Sequence, residues 1–313
     1  MKKFTASMLV LMGAASFGVL STIVKLSYGM GFSTAEVTSS PLFFGCLCLW
    51  ILGIPSFKEL RQLSFMTISK LLVSGIFSGL TGVFYYLALQ SLPASLGVIL
   101  LFQFVWMGFL LEWILQKRRP GSQQWIAITI VLIGTVLAAG YEALHFEHLS
   151  MAGILLGLLA AASYTGNIAV NGRVELNVSP ILRSTLMVTG GAIITMLIFP
   201  PLFLFNGSLV RGLWIFALLL AIFGVIIPPY LYARGIPTIG SAMASILGSI
   251  ELPVVIITSA LILKEHITPI QWLGVILILF GIFISEQRIF NRKMLKRRIQ
   301  YIDPYTTQDK PLP

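Results

Sequence analysis

Apolar residues in this chain run on far longer than a soluble helix or strand requires, with short polar breaks between them. Ten such runs cover residues 4–26, 36–54, 70–90, 93–115, 122–141, 150–171, 180–205, 211–232, 238–263 and 267–285. Apolar runs of about 18 residues or more can cross a hydrocarbon layer of roughly 30 Å as helices. Lipid offers the backbone no hydrogen-bond partner, so only helices and closed barrels span it. Barrel strands would be nearer ten residues and would alternate polar with apolar. The pattern predicts an all-α membrane protein of ten transmembrane helices. The shortest break is QSLPAS (90–95), where a proline among small polar residues suits a tight turn.

The runs repeat. SFGVLSTIVK (16–25) has a counterpart in SYTGNIAVNG (163–172), YYLALQ (85–90) in YLYARG (230–235), and QWIAITIVLIGTVL (124–137) in QWLGVILILFGIFI (271–284). One match would mean little in apolar sequence, but three in the same order at a spacing of 145 to 147 residues define an internal repeat. Each half holds five runs, and an odd number starts the second half from the opposite face of the membrane. The expected organisation is therefore two inverted five-helix repeats, residues 1–141 and 150–285, followed by a tail, 286–313. Inverted repeats give a chain two related shapes and recur in secondary transporters, with the site near the midplane.

Composition agrees: mean hydropathy is +0.93 and only 10% of residues are charged. The net charge of +10 could suggest nucleic acid, but its placement points to lipid. With the N-terminus inside, the inner segments carry Lys2, Lys3, Lys58, Arg61, Lys70, Lys117, Arg118, Arg119, Arg173, Arg234 and the C-terminal cluster, while the outer loops carry Arg211 and Lys264. That asymmetry predicts a multi-pass protein of the cell membrane with both termini cytoplasmic. The tail opens with six cations in eleven residues, interleaved with Ile289, Phe290, Met294 and Leu295, which suits the anionic inner leaflet. The basic start and small residues near Ala15 also fit a signal peptide, but the apolar run continues to Val24 and recurs later, so the first run reads as an uncleaved span. Cys46 and Cys48 lie two apart on one helix, point to different faces and read as small apolar fillers.

The paired QW…G final runs, ILKEHITPIQWLG (262–274) and the small-residue ninth run resemble the EamA family of the drug/metabolite transporter superfamily, over about residues 5–285. The resemblance implies two inverted five-helix halves around a central cavity, moving small metabolites such as amino acids, by efflux rather than uptake. Family members often carry Trp-Gly early in the first span and Lys eight residues later. Phe17-Gly18 and Lys25 take those places here, and Tyr164-Thr165 takes the Trp-Gly place in the second half. An Arg often found early in the second span of each half is replaced by Pro41 and Met187.

Glu251 is the leading candidate for chemistry, the one ionisable residue between Arg234 and Lys264. A charged acid at mid-bilayer costs on the order of 2.5–3.5 kcal/mol, so such residues face protein or a water-filled cavity. On a helical wheel Gly240, Ser241, Ala244, Gly248 and Glu251 share one side, a face of small side chains with one acid. Pro253 cannot donate to the carbonyl of Ser249, leaving an acceptor beside the carboxyl. The bland alternatives are a protonated glutamate held for structure and a helix-packing seam. Substrate or proton binding is assigned to Glu251, Gly248, Ser241, Lys25, Ser16, Tyr85, Gln103, Tyr164, Asn167 and Tyr230. Asn167 and Asn171 share a face, and aromatics with a few polar groups are the usual make-up of a small-ligand site. For each aromatic alone, lipid contact or packing is the simpler account. Lys25 has a snorkelling alternative, Arg183 reads as snorkelling or as another inside cation, Glu112 reads as an interfacial acid, and Pro228-Pro229 marks a bend.

Glu142, His145, Glu147 and His148 in one loop could hold a metal, but two histidines three apart in a solvated loop usually do nothing; no cofactor or metal is expected. The sequence has no P-loop, dinucleotide turn or hydrolase triad, and one central titratable group is too few for an intramembrane enzyme. The expected partners are a small-molecule substrate and membrane lipid, with no nucleic acid; a homo-oligomer is compatible with this pattern. A lipid flippase or scramblase is the alternative to metabolite transport.

Overall fold

A computed structural model of the chain describes residues 2–92, 94–117, 121–140 and 150–302. Among them nine helices are long and apolar enough to cross a membrane, and Pro269–Ser285 is a shorter apolar helix. In chain order these are α1 (Lys3–Gly29), α2 (Thr34–Leu52), α3 (Phe65–Leu89), a broken span made of α4 (Ala94–Leu101) and α5 (Phe104–Gln116), and α6 (Ser122–Ala139). The same order recurs as α7 (Met151–Asn171), α8 (Pro180–Ile198), α9 (Leu209–Ile239), a second broken span of α10 (Ser241–Gly248) and α11 (Glu251–Thr258), and α12 (Pro269–Ile302). The metal-like loop cluster at 142–148 lies outside the described residues.

Local chemistry sets the ends. Ser33 caps α2 in a capping box, its hydroxyl accepting from Glu36 N while the Glu36 carboxylate accepts from Ser33 N at 2.7 Å. Ser64 caps α3 and starts that helix at Phe65, five residues ahead of the apolar run. Pro200-Pro201 ends α8 at Ile198, short of the expected 205. In α9 the bend expected at Pro228-Pro229 takes the form of a π-helical stretch, Ala221–Ile226, just before the prolines.

The two broken spans carry the repeat into the backbone. The first breaks at 102–103 and the second at 249–250, an offset of 147 residues. Each span then ends on a lysine in the left-handed region, Lys117 at φ 52° and Lys264 at φ 54°, again 147 apart. Packing interlocks the halves. The first helix of one half lies in the other: α1 packs on α9 and α11, and α7 packs on α3 and α5. The helices α6 and α12 pair with each other to one side. Large apolar side chains such as Leu47, Val73, Leu155, Leu197 and Leu261 face outward, as helices surrounded by acyl chains require.

The closest approach between halves is α3 against α8. A Cβ at Gly75 would overlap the carbonyl of Met187, and one at Gly190 would overlap the carbonyl of Leu72. Small residues permit such backbone contact in lipid, where helix association relies on close packing. Gly190→Leu is therefore expected to destabilise the fold by about 1–3 kcal/mol or more through overpacking. A thermal-unfolding scan of the detergent-solubilised variant, showing a melting point several degrees below wild type, checks this.

Candidate functional site

The break in the second broken span decides what Glu251 does. Ser249 N bonds Ile246 O and Ile250 N bonds Leu247 O, both i to i−3, so the helix tightens and restarts with Glu251 as its first residue. The carbonyl of Ser249, expected to be free because of Pro253, accepts from Leu252 N at 3.3 Å. Opposite lies α1. A Cβ at Gly18 would sit 2.6 Å from both the Glu251 carbonyl and Val254 Cβ, so only glycine lets α1 approach here. That approach brings Phe17 beside the restart.

Glu251 and Phe17 line one cavity with about 200 Å³ of room for the centres of water-sized molecules. Its walls come from both halves: Leu42 of α2; Ser78, Thr81 and Gly82 of α3; Tyr164, Asn167 and Asn171 of α7; Ser184, Met187 and Val188 of α8; and Gly224, Val225, Pro229 and Tyr232 of α9. Tyr164 and Tyr232 share a hydrogen bond between their hydroxyls at 3.2 Å. Phe17 meets both rings edge-on, with centroids 6.2 and 6.0 Å apart. Asn171 Nδ2 donates to Asn167 Oδ1 at 3.1 Å and to Asn167 O at 2.9 Å, which fixes both amides. Among the described residues, Glu251 is the one charged side chain on the cavity wall, and it has neither a hydrogen-bond nor an ion-pair partner.

Two spans broken at equivalent positions of a repeat, the second break opening beside a cavity with a few polar groups on its wall, are an arrangement that membrane transporters share. Comparison with known proteins agrees: residues 4–140 and 151–286 each match the EamA-like transporter family. The chain belongs to that family. An uncharacterized transporter of Synechocystis sp. is 24% identical over 88% of this chain and 91% of its own length. Another, from Archaeoglobus fulgidus, is 26% identical over 88% of this chain and 94% of its own. One solved structure superposes with a TM-score of 0.68 at 17% identity, covering 88% of this chain and 96% of that one, which shows the shared fold. The protein is thus a multi-pass membrane transporter and not an enzyme.

Of the residues assigned to this EamA-like site from sequence, Glu251, Tyr164 and Asn167 meet at the cavity. The other seven have structural partners elsewhere. Gly248 packs against Phe104, whose ring would lie 3.3 Å from an added Cβ. Ser241 donates to Glu112 Oε2 at 3.1 Å. The same carboxylate accepts from Ala242 N, so Glu112 of α5 caps α10, whose own cap residue is Gly240. Its carboxylate therefore serves as a cap at this end of the spans. Ser16 donates at 2.6 Å to Phe223 O inside the π-helical stretch. Gln103 Nε2 donates to Ile99 O, a carbonyl its own backbone N–H has left for Leu100 O, while its Oε1 accepts from Trp106. Tyr85 stacks edge-on with Tyr86, and the Tyr230 hydroxyl accepts from Arg234 on the exposed side. Lys25 pairs with Glu265 at 2.7 Å, both half-exposed, and its ammonium holds that carboxyl below the usual carboxylate range.

Phe17 and Tyr232 also line the cavity; Phe17 was marked in the sequence by its place in the Trp-Gly pattern, whereas nothing sets Tyr232 apart from other apolar-run aromatics. Arg183 was misread. It does not snorkel but is 1% exposed, the largest fully buried side chain among the described residues. Nη2 donates to Asn171 O at 2.6 Å and Nη1 to Ala233 O at 3.1 Å. Both carbonyls lack helical partners, because Asn171 ends α7 and Pro237 cannot donate to Ala233. Pro237 was the signal that could have found it.

Arg183→Ala should lower the melting temperature markedly, since each carbonyl left unpaired costs on the order of 1–3 kcal/mol. Gly82 offers the complementary test, because a Cβ there meets nothing within 4 Å. Gly82→Leu is expected to keep the wild-type melting temperature yet lose the stabilisation that any cavity ligand gives wild type in a thermal-shift screen of metabolites.

Proposed function

We propose that this EamA-like protein is a secondary transporter, working as an exporter of small metabolites such as amino acids by alternating access. Its two inverted five-helix repeats, residues 1–141 and 150–285, would tilt about the cavity at Glu251. Both termini would be cytoplasmic, with the basic tail on the inner leaflet. The observation that carries this reading is the pair of span breaks at 102–103 and 249–250, with a cavity-lining carboxyl directly after the second. Discontinuous helices related by a repeat mark the midplane site in transporter folds, and a half-helix end there presents backbone groups to a ligand. The charge asymmetry of the loops supports the orientation.

The walls favour movement over simple sealing. They are drawn from both halves, so a relative rotation of the halves reshapes the cavity instead of carrying it along intact. Glu251, without a fixed partner, is placed to exchange a proton for substrate. In proteoliposomes with an imposed pH gradient, transport by wild type should follow the gradient and transport by Glu251→Gln should not. Unchanged gradient dependence in that variant would remove the carboxyl from coupling.

A further inference from the structure

The polar groups around the cavity have already committed most of their hydrogens. Ser78 Oγ donates to Gly75 O at 3.1 Å, Thr81 Oγ1 to Phe77 O at 2.7 Å and Ser184 Oγ to Pro180 O at 2.8 Å. Asn171 Nδ2 is turned onto Asn167, and the reverse orientation would set its Oδ1 against two other oxygens. The Tyr164–Tyr232 bond uses one of two phenolic hydrogens. The lining therefore offers a ligand mainly lone pairs: those of the three hydroxyl oxygens, Asn171 Oδ1 and the Glu251 carboxyl. Against these stand the Asn167 amide and one phenol as donors. Among the described residues no lysine or arginine lines the cavity, and the nearest buried cation, Arg183, is committed to two backbone carbonyls.

A site rich in acceptors, with one acid lacking a counter-ion and three aromatic rings, fits a ligand of the opposite character. An ammonium group has three donors and no acceptor. Its bond to a carboxylate is charge-assisted, aromatic faces attract it further, and a proton held by the Glu251 carboxyl leaves to solvent as the ammonium binds. A ligand carboxylate would meet the Glu251 carboxyl and a ring of lone pairs. We propose that this cavity takes a primary ammonium ion on an aromatic or branched apolar body, and that it discriminates against the same body carrying a carboxylate. The inference rests on the cavity being the substrate site and, within small metabolites, separates amines from amino acids.

Three molecules isolate the head group on one phenyl body: 2-phenylethylamine, phenylalanine and 3-phenylpropionate, a cation, a zwitterion and an anion at pH 7. Binding of each to the full-length protein in detergent is measured by equilibrium dialysis, with melting temperature as the check on folding. The amine is expected to bind wild type at least about tenfold more tightly than either carboxylate, the scale of one charge-assisted bond. Glu251→Gln should weaken the amine about tenfold, Glu251→Asp should keep the order of preference, and Gly82→Leu should abolish binding. Equal or tighter binding of phenylalanine or phenylpropionate, lost in Gly82→Leu, overturns the ammonium assignment and leaves the cavity as the substrate site. Amine binding that survives both Glu251→Gln and Gly82→Leu overturns the site as well. Failure of the amine to bind wild type up to its solubility limit overturns the assignment.

Discussion

A backbone N–H or C=O inside hydrocarbon has no water to turn to, and this one constraint organises the molecule. Wherever a helix is interrupted, the freed groups must be taken up by a side chain or by local tightening of the backbone. Proline at 237 strands the carbonyl of Ala233, and Arg183 reaches it from α8. The start of α10 has no side-chain cap of its own, and Glu112 supplies one from α5. The break after Leu101 strands Ile99 O, and Gln103 folds back to take it. Ser16 does the same for the π-helical stretch of α9. Arg183, Glu112, Gln103 and Ser16 are thus committed to interrupted backbone, whereas Glu251 and the Asn167–Asn171 pair line the cavity.

The same constraint explains why the interruptions lie where the halves interlock. A broken span is tolerable only where protein surrounds it, and α1 and α7 provide that cover by crossing into the opposite half. Gly18 is the hinge of this arrangement in packing terms. Any side chain there would push α1 off the Glu251 carbonyl and take Phe17 with it. The scaffold and the cavity are thus set by one contact, so a shift of one half against the other must change the surroundings of Glu251.

The coarse features were legible in the sequence because they depend on length and repetition alone. Apolar runs locate the spans, the QW and YY pairs locate the repeat, and an isolated acid in a long apolar run identifies itself. What failed was the helical wheel over 240–251, which assumes one continuous helix. The break at 249–250 rotates Glu251 away from Gly248 and Ser241, so the small face became a packing surface and the acid went elsewhere. Ser16, Gln103 and Tyr230 lie off the cavity wall for a different reason. Sequence shows that a residue is polar but not which stranded carbonyl or neighbour it meets. Arg183 is the instructive case, since Pro237 announced an unpaired carbonyl 54 positions away in the chain and nothing local connects the two.

The repeat copies the backbone but not its chemistry. The position equivalent to Glu251, 147 residues earlier, is Phe104, also the first residue after a break. Phe104 is fully buried, with its ring 4.7 Å from that of Tyr164 and in contact range of Gly248. One break is filled with aromatic core and the other bears a carboxyl. An acid at position 104 would have to sit in that aromatic core, where a poorly solvated carboxyl resists ionisation. Divergence at this pair keeps the double-broken architecture while leaving a single ionisable group on the cavity wall, and the rigid side braced by Phe104 and Tyr164 holds the ring cluster that faces it.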